Sequence, residues 1–520
     1  MKPAPHSAVS RSPQTASCGW LWALLAFVVC LAAISRQSLW IDEALTAAKA
    51  SQADLRGWWQ AMLADKASDL QMPLYMIYMW GFAKIAGASE WALRAANIPW
   101  FVAGIVAFIA ALPQSKKLVF ALVALASPFA WYYLDEARPY AMQLGASLII
   151  FAALDRLNHH ENLSARQERR WIAAFFFGII SLCGSSLLGM IWAGTACLSL
   201  PMLLPWQRLG EMARSHCAAC LFALGWLVAI GLYYLWTLKL GARASDVGQT
   251  DARNVMFIAY ELFGLSGLGP GRLEIRANGL RAFVPFAKQL ALYGAVIFDL
   301  LILGGWQIYR SQTRRRLLSL GAVITLPMLT ILGAGLTQHF RVLGRHFTPL
   351  LPVVLFILCL GLSARWSRRH WISKPLVFAF VILSVISCVS FRLAARHQKD
   401  DYRDAAAYAN RALQSGQVVW WNAGREGAVY YQVPITDAPG KKARALWLMN
   451  PTPSTLAGLP VPELIVASKP DVYDGRGAAA EYLRQNHYLK LATLPAFTIW
   501  QSAAALAEAH TSSSLANLIE

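Results

Sequence analysis

Eleven apolar runs dominate this 520-residue chain, near 18–34, 91–111, 118–134, 139–155, 171–185, 187–205, 218–238, 286–308, 317–336, 348–363 and 375–391. A helix rises about 1.5 Å per residue and a bilayer core is about 30 Å thick, so runs of this length suit membrane-crossing helices. Inside lipid the backbone must satisfy its own polar groups, which favours helices over irregular chain. Composition agrees: 57% of residues are hydrophobic and only 14% charged, with a mean hydropathy of +0.42. That is too little charge to cover a water-soluble surface. The 21 tryptophans and 17 tyrosines suit the lipid–water boundary. The expected fold class is an α-helical polytopic membrane protein.

The formal charge is +19, which by itself suggests a nucleic-acid partner. The basic residues instead cluster in short connections between apolar runs, so no nucleic acid is expected. Loops at 112–117, 156–170, 206–216, 310–316 and 365–374 carry sixteen Lys/Arg between them, against three in the opposite short loops at 135–138, 186 and 337–347. Positive residues stay on the cytoplasmic side. The bias holds only if the apolar stretch 73–86 does not cross. At about 1.5 Å per residue it is also short for a bilayer, so it is read as lying on the outer surface. This arrangement puts the N-terminal tail 1–18 in the cytoplasm and the C-terminus outside, with about eleven spans in residues 19–391. A cleaved signal peptide is the competing reading of the first run. The sequence after it, Ala-Ile-Ser-Arg-Gln, is a poor cleavage site, so the run is read as retained.

Two outer loops, 36–90 and 239–285, are long. Residues 392–520 form the one soluble-looking region. Helix-like 401–413 and 478–485 alternate there with strand-like 418–421, 443–448, 464–467, 488–494 and 497–500, which predicts a small α/β domain outside the membrane. The last twenty residues, rich in Ala and Ser, read as loosely ordered. The eight cysteines lie in or beside apolar runs and suggest no disulfide framework. No metal-binding, Walker A or dinucleotide-binding pattern stands out.

With this topology, polar residues gather on the outer face. Residues 38–46, SLWIDEALT, place Asp42 and Glu43 just after the first span. Asp135-Glu136-Ala137-Arg138 follows the third. The second long loop adds Arg253, Glu261, Arg272, Glu274 and Arg276, and the last outer loop adds His339, Arg341, Arg345 and His346. A carboxylate can deprotonate an acceptor hydroxyl or amine while guanidinium groups hold a departing phosphate. Arginine stays charged in a half-desolvated groove and its planar fork fits phosphate oxygens. Plainer roles stay open: the acidic pair also complements a helix dipole, Asp135–Arg138 also suits a structural ion pair, and Arg341 and Arg345 also suit lipid headgroups. Asp299 lies inside a span with no intramembrane basic partner evident, and is read as polar packing. The glycine-rich segment 261–272 is read as a flexible lid over the acceptor.

Taken in order, these segments resemble the polyprenyl-phosphate-sugar glycosyltransferases of the GT-C superfold, in particular the bacterial protein-mannosyltransferase and aminoarabinose-transferase branch. The segments carrying the resemblance are Trp40-Ile41-Asp42-Glu43-Ala44, Pro73-Leu74-Tyr75 with Ser89-Glu90-Trp91-Ala92-Leu93-Arg94, and Ser127-Pro128-Phe129 with Glu136-Ala137-Arg138-Pro139-Tyr140. Arg345-His346-Phe347 before Pro349 completes them. The resemblance covers roughly residues 20–365, and the C-terminal domain more loosely. It implies inverting transfer of a sugar from an undecaprenyl-phosphate carrier to an envelope acceptor (lipid, polysaccharide or protein) at the periplasmic face of a bacterial inner membrane. Asp42 would be the general base, with Glu43 supporting it. Glu136, Arg138, Arg272, Arg341, Arg345 and His346 are the candidate substrate-binding residues. No nucleotide sugar is implied and no cofactor is required, although a divalent metal is compatible with the site.

The chain departs from the family pattern in two places. Gln71-Met72-Pro73 stands where the family often has His-Pro-Pro, and Asp135 stands where it has Gln. Sugar and acceptor identity therefore do not transfer. Two other classes remain in view. A transporter or flippase for lipid-linked sugars predicts several ionisable residues within spans and repeat symmetry. A non-catalytic scaffold of an envelope polysaccharide complex predicts tolerance of Asp42→Asn.

Overall fold

The structure is a computed structural model that describes residues 19–64, 68–159, 163–241, 250–367, 373–438 and 444–503. The N-terminal tail 1–18 and all but the first three of the last twenty residues lie outside them. The chain opens with α1 (Gly19–Ala33), then α2 (Ile41–Ala50), α3 (Leu55–Ala64), α4 (Pro73–Ala86), α5 (Glu90–Ala95) and α6 (Ile98–Ala111). Next come α7 (Gln114–Leu125), α8 (Pro128–Leu134), α9 (Tyr140–Asn158), α10 (Ala165–Ser185), α11 (Leu187–Leu203), α12 (Trp206–Ser215) and α13 (Cys217–Lys239). The second half continues with α14 (Ala252–Leu262), α15 (Arg272–Asn278), α16 (Ala287–Ser311), α17 (Arg314–Thr337), α18 (Leu351–Ser367) and α19 (Ser373–Leu393).

Local chemistry sets many of these boundaries. Ser127 caps α8 by accepting from the Ala130 amide, with Pro128 in the first turn, where its missing N–H is no loss. Ser89 caps α5 in the same way. Among the described residues, seven helices are long and apolar enough to cross a membrane. The count is nine if the bent pairs α7–α8 (56°) and α11–α12 (119°) are each one span. The expected eleven also counts α1, fifteen residues long, and α10, whose first turns carry Arg166, Glu168, Arg169 and Arg170. Residues 73–86 form a separate fourteen-residue helix, packed against α2, α5 and α10.

Small residues let the helices approach closely. Gly104 of α6 faces Gly145 of α9, and a Cβ on Gly104 would lie 2.8 Å from the Gly145 Cα. A Cβ on Gly145 would collide with the Trp100 carbonyl. Gly304 and Gly361 repeat the arrangement between α16 and α18. Lipid tails are as apolar as leucine, so close backbone packing of this kind is what associates helices within a bilayer.

Two expectations are corrected here. Asp299 does have a basic partner: Arg365 Nε, near the end of α18, donates to its carboxylate at 2.8 Å. Sequence proximity could not show this, because the pairing joins two different spans. The glycine-rich stretch is a wedge and not a lid. Side chains on Gly267, Gly269 and Gly271 would collide with Ser387, the Tyr260 hydroxyl and the Arg396 carbonyl. Its glycines serve close contact more than mobility.

The C-terminal residues form the expected α/β unit. Its helices are α20 (Tyr402–Gln414), α21 (Arg425–Tyr430), α22 (Pro453–Ala457), α23 (Pro470–Tyr473) and α24 (Ala478–Gln485). Its strands are β1 (Val419–Asn422), β2 (Ile435–Thr436), β3 (Ala445–Trp447), β4 (Leu464–Ser468), β5 (Leu489–Leu494) and β6 (Phe497–Gln501). They form one sheet in the order β2-β3-β1-β4-β6-β5, with β1 to β4 parallel and β6 antiparallel to both β4 and β5. Strand side chains alternate between faces. Trp421 therefore packs with Tyr402, Val466 and Phe497, while Trp420 packs with Leu446, Ile465 and Tyr488. Ile41 of α2 packs against the first of these clusters, so the domain's core continues into the membrane portion.

A buried ionic cluster fastens the seam. Arg94 Nε and Nη2 grip the two Glu43 oxygens at 2.8 and 2.7 Å, and both side chains are fully buried. Lys399, on the connection into the C-terminal domain, lies 3.2 Å from Glu43 and 3.3 Å from Asp135. Arg392 lies 2.6 Å from Asp135, and Ser35 Oγ donates to the same carboxylate at 2.9 Å. Burial pushes the Asp135 carboxyl up, but Lys399, Arg94 and Arg392 outweigh it and hold Asp135 well below the usual carboxylate range. Burial acts the same way on Glu43, and Arg94 and Lys399 reverse it.

Two outcomes are expected. Gly145→Ala should lower stability by about 1–3 kcal/mol, because neither helix backbone can yield without losing packing. Gly194→Ala, which meets nothing within 4 Å, should be silent. Thermal melting in detergent separates them, and equal melting points would refute the close-packing account. Acid is the second probe. Glu43 and Asp135 are depressed in the fold, so their contribution is complete above the unfolded carboxylate pKa of about 4. It is lost as pH falls through the lower folded values. Melting temperature should hold from pH 7 to 5 and drop below about pH 4; a curve flat to pH 3 would contradict it.

Candidate active site

Asp42 sits in the first turn of α2, where its neighbour Glu43 makes the return half of a cap by accepting from the Trp40 amide at 3.4 Å. Successive helix residues point about 100° apart, so the two carboxylates enter different surroundings. Glu43 turns inward to Arg94. Asp42 stays about one-quarter exposed and pairs with Arg345 Nη1 at 2.9 Å. Arg345 lies in the single turn 344–350 before α18, held by Thr348 Oγ1 donating to its carbonyl at 2.7 Å. Its guanidinium is flanked by the Trp40 and Tyr140 rings at 5.9 and 6.0 Å, and its Nε has no hydrogen-bond partner among the described residues. Gly344 is required just before it, because Glu261 occupies the space of a side chain there.

A second acid–arginine pair adjoins the first. Glu136 is fully buried; its Oε1 lies 3.5 Å from Arg272 Nη1, while Oε2 has no partner among the described residues. Burial pushes the Glu136 carboxyl up, and the opposing charges of Arg272, Lys399 and Arg345 do not reverse the shift. Arg272, the first residue of α15, also bonds Glu261 at 2.6 Å and Tyr133 at 3.0 Å, and lies 4.3 Å from the centre of the Tyr132 ring. Asn97 Nδ2 donates to the Glu136 carbonyl at 2.7 Å and the Leu134 carbonyl at 3.0 Å, which fixes the turn between α8 and α9.

Arg138 points away from this opening. It is buried and donates to Asp69 at 2.8 Å, Thr46 Oγ1 at 3.1 Å and the Asp42 carbonyl at 3.2 Å. Lys49 completes the group, 2.8 Å from Asp69. Arg138 therefore holds the α2 backbone beneath Asp42, with its own Nε unpartnered among the described residues. Arg341 is exposed. His346 uses Nδ1 to accept from the Leu343 amide at 3.2 Å, so that nitrogen is committed to its own turn. Among the described residues no three His, Cys, Asp or Glu side chains converge as metal ligands.

The structure thus gathers Asp42, Glu136, Arg272 and Arg345 into one charged cluster, open to solvent at Asp42, Arg272 and Arg345, with Arg341 beside it. It sets Glu43 and Arg138 behind that cluster as supports, and it engages His346 locally. Sequence reasoning assigned no role to Arg94, Asp69, Lys49 or Lys399. Arg94 carried a usable signal, a cation at the very start of an apolar run. For the others no local pattern exists, because their partners lie 20 to 356 residues away.

No protein-family model and no curated protein sequence matches the chain. Among solved structures it is similar to ArnT from Cupriavidus metallidurans bound to undecaprenyl phosphate, at 14% identity and a TM-score of 0.52, over 94% of this chain and 99% of that one. The apo state of the same protein gives 14% identity and a TM-score of 0.53, over 94% and 98%. At this identity the likeness speaks for architecture alone: the chain has the GT-C membrane fold of ArnT along almost its whole length.

Proposed function

We propose that the chain is a glycosyltransferase that moves a sugar from a polyprenyl-phosphate carrier to an envelope acceptor. The observation that supports this best is the partly open Asp42–Arg345 pair at 2.9 Å, on a fold whose solved example binds undecaprenyl phosphate. In the reaction an acceptor hydroxyl or amine attacks the anomeric carbon. The bond from that carbon to the phosphate oxygen breaks, and the lipid phosphate leaves with the electron pair. Asp42 takes the acceptor proton. A single displacement of this kind inverts the anomeric centre.

Arg345 suits the leaving phosphate because its side chain is partly exposed and lies between the Trp40 and Tyr140 rings. Arg272 and the exposed Arg341 add positive charge on the same side, and charge-assisted bonds to phosphate are about twice as strong as neutral ones. Glu136 orients Arg272 from beneath. Glu43 is not the base in this reading, since Arg94 and Lys399 already occupy its oxygens. The reaction is placed at the periplasmic face of an inner membrane, where the C-terminal domain helps to hold the acceptor.

The test follows release of free polyprenyl phosphate from a panel of labelled polyprenyl-phosphate sugars by purified protein in lipid, with crude envelope as acceptor. Asp42→Asn should lower kcat by about 10²–10⁴, the range of a general base, while melting as wild type does. Retention of activity within fivefold would rule out Asp42 as base. Arg345→Ala should lower kcat/KM by about 10–100-fold, corresponding to one or two charge-assisted bonds. An unchanged value would remove Arg345 from the phosphate site.

A further inference from the structure

The segment between α1 and α2 leads directly into the turn that carries Asp42, and it has no regular structure of its own from residue 34 to 40. Its backbone groups are instead held by side chains. Arg94 Nη1 donates to the carbonyls of Ser35 and Gln37 at 3.2 and 2.7 Å, and Nη2 to that of Ser38 at 3.1 Å. Asp135 accepts from the Ser35 amide at 2.5 Å and Glu43 from the Trp40 amide at 3.4 Å, and further holds come from the C-terminal domain and the connection leading into it. Arg403 Nη2 donates to the Arg36 carbonyl at 2.8 Å, and the Arg403 amide to Ser38 Oγ at 3.2 Å. The Lys399 amide donates to Gln37 Oε1 at 3.0 Å. The Tyr431 hydroxyl accepts from the Leu39 amide at 2.8 Å and donates to Glu90 at 3.0 Å.

Trp40 extends the connection to the reacting pair. Lys469 of the C-terminal domain lies 5.9 Å from its ring centre, the same distance as Arg345. Lys469 adopts a left-handed backbone at φ +34°, a conformation that costs a non-glycine residue free energy, and its ammonium pairs with Asp400.

One residue of the seam belongs to the connection into the C-terminal domain. Two carboxylates, Glu43 and Asp135, face three cations, Arg94, Arg392 and Lys399, and Glu136 also acts on Lys399. Of these cations only Lys399 reaches both Glu43 and the Asp135 carbonyl, and that position fixes the turn next to Asp42.

We infer that the C-terminal domain is part of the catalytic apparatus, with Lys399 and Tyr431 acting as positioning residues that hold the Asp42 segment at its distance from Arg345. This rests on the reading of Asp42 as the base. A shift of about 1 Å in a reacting group can cost about 100-fold in rate, so loosening the segment affects turnover more than lipid binding.

The experiment compares wild type, Lys399→Met, Lys399→Arg and Tyr431→Phe as full-length protein in lipid. Lys399→Met should lose about 10- to 100-fold in kcat, with KM for the lipid donor within about threefold, measured at a temperature where the variant stays folded. Lys399→Arg should recover most of the loss. Tyr431→Phe keeps its packing and removes one hydroxyl, and should lose about fivefold or more in kcat, in line with one hydrogen bond. Hydrogen exchange of amides 36–46 should quicken in Lys399→Met and Tyr431→Phe while that of α9 does not.

Normal kcat in Lys399→Met and Tyr431→Phe, or losses that only track melting, would overturn the inference and leave the proposed reaction standing. If Lys399→Met does not fold, Tyr431→Phe alone decides the positioning role. An inactive wild type whose amides 36–46 still loosen in the variants would overturn the proposed reaction while keeping the mechanical coupling. Unchanged exchange would overturn the coupling.

Discussion

Ionised groups buried near a membrane need partners, because removing an unpaired charge from water costs several kcal/mol. The arrangement around Asp42 depends on that requirement. Arg94 is fully buried at the start of an apolar helix and finds its counter-charge on Glu43. That pairing turns α2 so that Glu43 faces inward and Asp42 faces Arg345. Asp135 and Lys399 extend the network to the turn between α8 and α9 and to the C-terminal domain. One constraint, charge neutralisation without water, therefore orders four separated stretches of chain.

The same principle separates two kinds of acid–arginine pair. In the supports, Glu43–Arg94 and Asp69–Arg138, the acids and their partners are almost wholly inaccessible. In the site, Asp42–Arg345 stays partly open, and Glu136 keeps one oxygen without a partner among the described residues. Closed pairs hold geometry, since they are shut away from any substrate. Open or incomplete pairs keep capacity for a substrate.

Packing supplies the second constraint. Glycine pairs set the distance between α6 and α9 and between α16 and α18, and thus where the turns carrying Glu136 and Arg345 emerge. The glycine-rich segment before Arg272 follows the same rule. Its glycines admit Ser387, Tyr260 and Arg396, which fixes Arg272 at the head of α15. A segment that reads as mobile from composition is held by contact, because glycine serves flexibility and close approach equally well.

Much of this architecture was determined by the sequence alone. Apolar runs long enough to span, short basic connections, a separate short helix at 73–86 and an alternating C-terminal α/β pattern are local properties, set by hydrophobic periodicity within about twenty residues. The strands containing Trp420, Ile465 and Ile499 were readable for the same reason, and Asp42, Glu136, Arg272 and Arg345 were among the eight candidate site residues that the sequence offered. Which of two adjacent acids faces Arg345 was not readable, nor was the retreat of Arg138 to Asp69, the partner of Asp299, or the part played by Lys399. Those outcomes depend on pairings across many tens to hundreds of residues. Only the tertiary structure decides them, because an ionisable side chain's role is set by its burial and by the charges that reach it through space.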